Sequence, residues 1–259
     1  MEIGTAKPSA EELKQAPHHF INNLSIHDEY NVGKYEKEAL ACLNVIFKKN
    51  DKAILVGGSG LFINAICNGL DTLPEGDNRV REHYEKILQE QGIEALQTEL
   101  KEKDPAYYDV VDRKNPRRLI RALEVCSITG KPYSLLRNKK PEKRNFRIVK
   151  IGIALDKVEL VERIDKRTDA MLAAGWVEEC KGLFPYKHLN ALKTVGYTEL
   201  FNFIESKNDW ETTVQQIKTN TWHYAKRQLT WFKKDKEIKW FSTKEEAQIL
   251  AHIATFVPS

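Results

Sequence analysis

The sequence predicts an α/β protein with a helical insertion, and three observations lead to this fold class. Lys52 to Val56 is a short β-branched run that ends in glycines and is followed by a helical pattern, an order typical of α/β folds. Strand-like segments return at 146–155 and at 238–241. The signal from Asp77 to Leu136 is helical throughout. We therefore expect a core of strands and helices that is interrupted by a helical segment.

The elements around the first strand follow from apolar spacing and turn residues. Apolar residues recur at helical spacing in 32–47, which predicts a helix before that strand. A second helix is predicted to start at Ser59 and to stop near Gly69, before the Pro74 region.

The insertion and the later part of the chain have clear helix signals. Asp156 and Glu159 have the spacing of a capping box, so a helix is expected to begin there and to end at Gly175. Amphipathic stretches predict further helices in the insertion and beyond it. The predicted helical segments are 79–91, 93–103, 116–128, 157–175, a region that ends at 203, and 210–232.

The composition of the 259 residues excludes several classes of protein. An apolar fraction of 41% and a net charge of +4 are ordinary for a globular chain and exclude a fibre or a disordered tail. No apolar run approaches the ~20 residues that cross a bilayer, and no secretory signal pattern is visible, so we expect a cytoplasmic protein. The four cysteines are far apart and form no C-x-x-C pair, so neither a metal cluster nor a disulfide framework is predicted.

The charge is unevenly distributed along the chain. Residues 1–112 hold 12 basic and 20 acidic side chains, whereas residues 113–259 hold 29 and 17. The basic residues gather at 113–121, 139–150 and 226–239. Such clusters are typical of a surface that binds a polyanion, and we favour nucleic acid. Solvated helix faces are the alternative.

The run Gly57-Gly58-Ser59-Gly60 closes the predicted strand and opens a helix. Free backbone N–H groups at such a position can hold an anion. The run is neither a Walker A loop nor a dinucleotide fingerprint, because it lacks a following Gly-Lys-[Ser/Thr] and has Ile63 at the third glycine position. A tight turn that requires positive φ is the alternative reading.

Two arginine groups are candidates for anion binding. Asn115-Pro116 is a helix start, and the apolar stripe of that helix leaves Arg117, Arg118 and Arg121 outward, where they suit successive phosphates or form a solvated basic face. Arg163 either pairs with Glu159 as an exposed i,i+4 ion pair or reaches inward to a diphosphate, and spacing alone does not choose.

The segment from Thr221 to Lys234 interleaves aromatic and cationic residues on one predicted helix. Exposed rings can stack on bases while lysine and arginine contact the backbone of a nucleic acid. Trp222, Leu229 and Phe232 fit equally well in a core.

Several distinctive segments follow one another along the chain. They are Ile3-Gly4-Thr5-Ala6-Lys7-Pro8, Pro17-His18-His19, Leu55-Val56-Gly57-Gly58-Ser59-Gly60-Leu61-Phe62, Thr194-Val195-Gly196-Tyr197, Tyr224-Ala225-Lys226-Arg227-Gln228 and Trp231-Phe232. Together, and in this order between residue 2 and about residue 243, they resemble the tRNA isopentenyltransferase (tRNA dimethylallyltransferase) family. The resemblance is specific because all of these segments occur in the same order.

The resemblance implies a P-loop NTPase-like core with a parallel sheet, formed by 1–72 and 141–259. Residues 73–140 would be an all-helical insertion that binds the anticodon stem of tRNA. The family transfers a dimethylallyl group from dimethylallyl diphosphate to N6 of the adenosine 3′ to the anticodon, in tRNAs that read U-starting codons. The implied cofactor is Mg²⁺, which helps the diphosphate leave, and the target base is flipped out. We expect a monomer whose partners are tRNA and dimethylallyl diphosphate, with no membrane partner.

The resemblance also implies roles for individual residues. Arg163 matches a family arginine near the diphosphate and is the predicted catalytic residue, and no metal ligand is predicted. Residues at the diphosphate and prenyl channel are predicted to be Thr5, Lys7, Gly57, Gly58, Ser59 and Gly60. The predicted tRNA contacts are Ser59, Arg81, Arg117, Arg118, Leu119, Ile120, Arg121, Lys193, Thr194, Val195, Gly196, Tyr197, Thr198, Lys226, Arg227, Gln228, Leu229, Thr230, Trp231, Phe232 and Lys233.

The chain also departs from the family pattern. Family members have a strand, a Gly-x-x-x-x-Gly-Lys-[Ser/Thr] loop and an Asp-Ser-x-Gln motif upstream of Gly-Thr-Ala-Lys-Pro, and this sequence contains none of them. We therefore expect an exposed sheet edge and little catalysis by this chain alone. Asn22, Ser59 and Phe62 stand where the family often has Asp, Thr and Tyr.

Three alternatives stay open at this point. A tRNA-binding module without catalysis would bind tRNA and transfer no prenyl group. An adenylate isopentenyltransferase would use a free nucleotide, and the basic segments and the full insertion argue against it. A nucleotide kinase is disfavoured because the conspicuous motifs are those of the prenyltransferases.

Overall fold

A computed structural model of the chain describes residues 1–5, 7–137 and 141–256. The chain forms two compact units. The first unit consists of Met1–Tyr35, Lys52–Ile63 and Arg147–Ser259, and the second of Glu36–Asp51 and Asn64–Phe146. The predicted insertion 73–140 lies within the residues of the second unit, and its residues 138–140 are outside the described residues.

Helices dominate the described residues, and a single strand pair accompanies them there. A 3₁₀ turn spans Ile3–Thr5, and two more span Phe184–Tyr186 and Asn190–Leu192. The remaining elements in chain order are α1 (Ala10–Gln15), α2 (Val32–Ile46), α3 (Gly60–Asn68), α4 (Asn78–Gln91), α5 (Ile93–Lys103), α6 (Pro105–Tyr108), α7 (Pro116–Thr129), α8 (Tyr133–Leu136), β1 (Ile151–Ala154), α9 (Lys157–Ala173), α10 (Trp176–Leu183), α11 (Tyr197–Ile204), α12 (Trp210–Phe232), β2 (Lys239–Ser242) and α13 (Glu246–Ala254).

The sheet of the first unit is a parallel pair. Strand β1 pairs with β2 in a register that sets Ile151 opposite Lys239 and Ala154 opposite Ser242. Beside the pair, the Lys150 ammonium contacts the carboxylates of Asp235 at 2.8 Å and Glu237 at 2.7 Å. The predicted parallel sheet is thus confirmed. Its first strand is shorter than the predicted 146–155 because the partner strand contributes only four residues.

The predicted strand from Lys52 to Val56 is wrong. This segment is irregular in the structure, and Ile54 and Val56 are 90% and 85% exposed. A β-branched run favours extended backbone, but a strand also requires a neighbour that accepts and donates its backbone hydrogen bonds. No described residue supplies that neighbour.

The second unit has a helical core of its own. Helices α4, α5 and α7 pack around Tyr84, Leu96, Leu100, Leu119 and Leu123, which are all at most 2% exposed. The predicted helices 79–91, 93–103 and 116–128 are confirmed to within a residue. Local signals explain this agreement, because caps and apolar spacing specify a helix without distant partners.

Start and stop signals of α7 match the sequence closely. The Asn115 side chain accepts a hydrogen bond from the Arg118 backbone N–H, and Pro116 occupies the first turn. Gly130 ends the helix with φ of 65°, a left-handed conformation that glycine adopts without strain.

The core of the first unit lies among α9 to α12. Trp176, Cys180, Leu192, Tyr197 and Leu200 are each at most 3% exposed. Asp156 caps α9 by accepting from the Glu159 backbone N–H. In the described residues, no helix is both long and apolar enough to span a membrane.

Candidate functional site

The glycine turn of the first unit packs directly against helix α12. A Cβ added at Gly58 would lie 2.4 Å from the Gln228 side-chain nitrogen, and one added at Gly60 would lie 2.2 Å from the Trp231 ring. Gly57 has more room, because the nearest atom to its added Cβ is in Ile63 at 4.0 Å. None of these glycines has a positive φ. Close approach to α12, rather than a turn that requires positive φ, therefore explains Gly58 and Gly60.

Ser59 immediately precedes α3, so the free backbone N–H groups of the first helical turn lie beside it. The Ser59 carbonyl accepts from the Ile63 N–H at 3.1 Å, which is the first bond of the helix. The Ser59 residue itself is exposed. The predicted role of this turn in anion binding is compatible with this geometry and stays a prediction.

Helix α12 presents a face of aromatic and cationic side chains. Tyr224 and Trp231 are 45% and 46% exposed. The Arg227 guanidinium lies 5.8 Å from the Tyr224 ring centroid. A surface cavity of about 410 Å³ on this helix is lined by His223, Lys226, Arg227, Thr230, Trp231 and Lys234. The α12 face therefore offers exposed rings flanked by positive charge, which suits a single-stranded nucleic acid.

Trp222 belongs to the same helix but has a different environment. It is half-buried, and the ammonium groups of Lys226 and Lys157 lie 5.3 Å and 5.9 Å from its ring. Leu229 and Phe232 are also partly buried. None of the three belongs to the buried core clusters of the described residues, so both interpretations from the sequence stay open for them.

The segment at residues 1–7 is held by acidic side chains. The Glu179 carboxylate accepts hydrogen bonds from the backbone N–H groups of Glu2, Ile3 and Gly4. Lys7 contacts Glu2 at 2.8 Å and also the side-chain oxygen of Asn22. Ala6 lies outside the described residues. Glu179 is not marked by any local sequence pattern, because its three backbone donors lie more than 170 residues away.

The loop 193–198, whose last two residues begin α11, has a buried and an exposed part. Lys193, Thr194 and Thr198 are exposed, whereas Gly196 and Tyr197 are buried. Gly196 has φ of 91°, and its added Cβ would lie 2.1 Å from Trp176, so only glycine fits there. Of the predicted tRNA contacts in this loop, the exposed ones can reach a ligand with their side chains.

Glu199 ties that loop to α12. Its carboxylate accepts from the Gly196 backbone N–H and from the Asn220 side-chain amide, both at 2.6 Å. Glu199 is not among the site residues predicted from the sequence. A signal was present, because Glu three residues after a helix start is one half of a capping box.

Arg163 forms the exposed ion pair that was one of its two interpretations. Its guanidinium contacts the Glu159 carboxylate at 2.8 Å, and the Arg163 side chain is 55% exposed. Because Glu159 turns to Arg163, only the Asp156 half of the predicted capping box is present. The catalytic role of Arg163 stays a prediction.

The arginines of the second unit divide into two kinds. Arg117 and Arg118 are exposed. Arg121 and Arg81 instead contact the fully buried carboxylate of Glu124, at 2.7 Å and 3.1 Å. Arg121 also donates to the Pro74 carbonyl at 2.8 Å.

Leu119 and Ile120 lie in the hydrophobic core of the second unit, at 0% and 7% exposure. Their side chains therefore pack in the core and stabilise α7. The arginines of the same helix carry its exposed positive charge.

Burial and hydrogen bonding shift the pKa of Glu179 and of its neighbours Tyr197 and Cys180. Burial alone would raise the pKa of Glu179, but hydrogen bonds from Tyr197 and from the three backbone N–H groups outweigh it and lower the pKa below 4.5. Burial and the neighbouring Glu179 raise the pKa of Tyr197, so its hydroxyl stays protonated. Burial raises the pKa of the Cys180 thiol to about 12, which makes that cysteine unreactive at neutral pH.

Among the described residues, no group of three or more His, Cys, Asp or Glu side chains converges as metal ligands would. The predicted site residues are divided between the units. Thr5, Lys7, 57–60, Arg163, 193–198 and 226–233 belong to the first unit, and Arg81 and 117–121 to the second.

Comparison with known sequences identifies relatives over most of the chain. A family model described as IPP transferase matches residues 1–235. The tRNA dimethylallyltransferase of Christiangramia forsetii is 50% identical over 234 residues, which cover 90% of this chain and 78% of that protein. The tRNA dimethylallyltransferase 1 of Phocaeicola vulgatus is 41% identical over 253 residues, which cover 98% of this chain and 84% of that protein.

Solved structures resemble the chain as well. The full-length tRNA isopentenylpyrophosphate transferase of Bacillus halodurans has a TM-score of 0.69 at 29% identity. The match covers 98% of this chain and 82% of that chain. A eukaryotic dimethylallyltransferase acting on tRNA has a TM-score of 0.76 at 23% identity, with 97% of this chain and 67% of that chain covered. At that identity the second similarity concerns the fold alone.

Proposed function

The chain belongs to the IPP transferase family, and from this membership we propose that it acts as a tRNA dimethylallyltransferase. The proposed reaction transfers a dimethylallyl group from dimethylallyl diphosphate to N6 of the adenosine 3′ to the anticodon. The proposed tRNAs read codons that begin with U. We place this activity in the cytoplasm and expect a monomer.

The observation that carries the proposal is the contact between the glycine turn and the α12 face. Gly58 and Gly60 approach Gln228 and Trp231 so closely that a Cβ would overlap them. The free N–H groups at the start of α3 thereby lie beside an aromatic and cationic helix face. The first feature suits a diphosphate and the second suits an unstacked RNA segment. A reaction between these two substrates needs both features in one place.

Each group of residues has a proposed role in this reaction. Arg163 and the glycine turn stabilise the negative charge that develops on the leaving diphosphate, because preorganised cations and N–H donors are most effective there. Thr5 and Lys7 bind the same substrate. The exposed residues of α12, of the loop 193–198 and of α7, together with Ser59 and Arg81, contact the tRNA.

Mg²⁺ is part of the proposal as an ion that accompanies the diphosphate. Mg²⁺ commonly keeps several waters and binds through substrate phosphates rather than through a protein cage. The described residues include no ready cluster of metal ligands. We therefore assign no residue of the chain to the ion.

The proposal is tested by incubating the protein with labelled dimethylallyl diphosphate and an anticodon stem-loop. The loop carries adenosine 3′ to the anticodon, and a matched loop with guanosine there lacks the N6 amine. The relatives are longer than this chain, so the assay includes a version extended upstream through its reading frame.

We expect label in the adenosine loop and none in the guanosine loop. Binding of the stem-loop is measured in parallel by filter retention. Binding without transfer by either version would contradict the proposal and favour a tRNA-binding module. Transfer to free AMP instead of the stem-loop would identify an adenylate isopentenyltransferase.

A further inference from the structure

One carboxylate collects three consecutive backbone donors in the first unit. The Glu179 Oε2 atom accepts from the N–H groups of Glu2 and Ile3 at 2.6 Å and 2.9 Å, and Oε1 accepts from Gly4 at 3.1 Å. Three successive N–H groups aimed at one carboxylate fix both the position and the direction of the turn that contains them. This turn spans Ile3–Thr5.

The same carboxylate also binds the loop 193–198, through Tyr197 at the start of α11. The Tyr197 hydroxyl donates to Glu179 Oε1 at 2.5 Å, and Tyr197 is fully buried. Its ring meets Trp176 edge to face, with centroids 5.9 Å apart. Glu179 is therefore a shared anchor for the Ile3–Thr5 turn and for the loop 193–198.

Aromatic rings pack closely against the backbone of the segments that Glu179 binds. A Cβ added at Gly4 would lie 2.3 Å from the Trp176 indole nitrogen and 2.4 Å from the Tyr197 ring. A Cβ added at Gly196 would lie 2.1 Å from the Trp176 ring. The backbone at Gly4 and the backbone at Gly196 thus both pack against Trp176, and Glu179 supplies the polar contacts.

We propose that Glu179 is a positioning residue for prenyl transfer, which orients Thr5 through the Ile3–Thr5 turn and couples that turn to the loop 193–198. The inference rests on the proposed function and adds to it a residue that touches neither substrate. Glu179 is partly buried, and the partial removal of a carboxylate from water carries a desolvation penalty that apolar packing would avoid. The gain from Glu179 is orientation, because a displacement of about 1 Å at a reacting group can cost up to about 100-fold in rate.

Substitution Glu179→Gln tests this role. The amide keeps the shape of the side chain and one acceptor, but its NH₂ group faces N–H donors that need an acceptor. We expect kcat/KM for dimethylallyl diphosphate to fall about tenfold or more, while the affinity for the stem-loop changes less. Glu178→Gln is the matched control, because Glu178 is 73% exposed and contacts only Lys181 among the ion pairs of the described residues.

A second substitution separates positioning from stability. Tyr197→Phe removes only the hydroxyl that joins the loop to Glu179 and retains the buried ring. We expect a smaller fall in kcat/KM for dimethylallyl diphosphate, with a fold verified by circular dichroism. Glu179→Asp restores the charge with a shorter reach and is expected to recover part of the loss.

The outcomes are distinguishable from a failure of the proposed function. Absence of transfer by the unsubstituted protein, both as given and in the version extended upstream, overturns the function itself. If that protein is active and both Glu179→Gln and Tyr197→Phe match its kcat/KM, Glu179 does not position the substrate residues. If Glu179→Gln does not fold, an unchanged kcat/KM in folded Tyr197→Phe is sufficient to overturn the proposal.

Discussion

The Trp231 indole occupies the space that a side chain at residue 60 would need, since a Cβ on Gly60 would lie 2.2 Å from the ring. This contact joins the first residue of α3 to an exposed aromatic residue of α12. A predicted phosphate turn and a predicted RNA-binding helix are therefore mechanically connected. Any change at one of the two residues is expected to move the other.

Gly60→Ala is predicted to impair both stability and transfer. Alanine is a better helix former than glycine by about 1 kcal/mol, but the overlap with Trp231 forces one element to shift, and overpacking of this kind costs about 1–3 kcal/mol. Chemical denaturation measures the first effect and the stem-loop assay the second. Gly182→Ala in α10 is the control, because nothing lies within 4 Å of its added Cβ and it is not among the proposed site residues. Equal behaviour of the two variants would show that the Gly60 contact is not required.

The exposed arginines of α7 are predicted to set the salt dependence of tRNA binding. Arg117→Ala combined with Arg118→Ala should flatten the slope of log K against log salt by about 0.7 to 0.9 per phosphate contact that is lost. Stability should change little, since both residues are exposed. Binding is measured at several salt concentrations. An unchanged slope would mean that the two arginines form only a solvated face.

Arg121→Ala is predicted to differ from that pair in its effect on stability. Arg121 contacts the fully buried carboxylate of Glu124 at 2.7 Å and the Pro74 carbonyl at 2.8 Å. Its removal leaves Glu124 with fewer donors, which costs on the order of 1–3 kcal/mol. Urea denaturation provides the measurement. A stability equal to that of the Arg117→Ala, Arg118→Ala variant would contradict this assignment.

What the sequence predicted and what it missed have the same physical origin. Helix α7 was predictable because Asn115, Pro116 and the apolar stripe act within one helix. The Lys52–Val56 strand was not, because a strand depends on a partner that the local pattern cannot supply. Glu179 was invisible for the same reason, since its donors at residues 2–4 are distant in the sequence.

Arg144→Ala is predicted to be strongly destabilising for the second unit. The Arg144 side chain is 9% exposed and contacts Glu36 at 2.6 Å and the carbonyls of Ala65 and Ile66 at the end of α3. Removal of one member of a buried ion pair costs about 3–5 kcal/mol because the other charge stays buried. Thermal unfolding measures the loss, and Lys143→Ala at an exposed neighbour is the control. A loss below about 1 kcal/mol would show that water replaces the contacts.

Arg163→Ala is predicted to reduce transfer while leaving stability nearly unchanged. The ion pair with Glu159 is an exposed i,i+4 pair, which contributes about 0.2–0.5 kcal/mol. A role at the diphosphate would instead lower kcat for transfer by about 100-fold or more. Arg167→Ala, one turn further along α9, is the control. Full activity in Arg163→Ala would show that Arg163 has no role in transfer and forms only its ion pair with Glu159.

The stability of the protein is predicted to fall at acidic pH as Glu179 becomes protonated. Hydrogen bonds from Tyr197 and three backbone N–H groups outweigh burial and lower the folded-state pKa of Glu179 below its ordinary value of 4.5. A depressed folded-state pKa means that the ionised carboxylate stabilises the fold at pH values above 4.5, and that this contribution is lost as the pH falls through the folded-state pKa. Glu179→Gln has no such group, so the stability difference between the two proteins should be constant near neutral pH and should shrink below pH 4.5. Urea denaturation at a series of pH values measures it, with Glu178→Gln as the control. A difference that does not change with pH would show that Glu179 contributes through its shape rather than its charge.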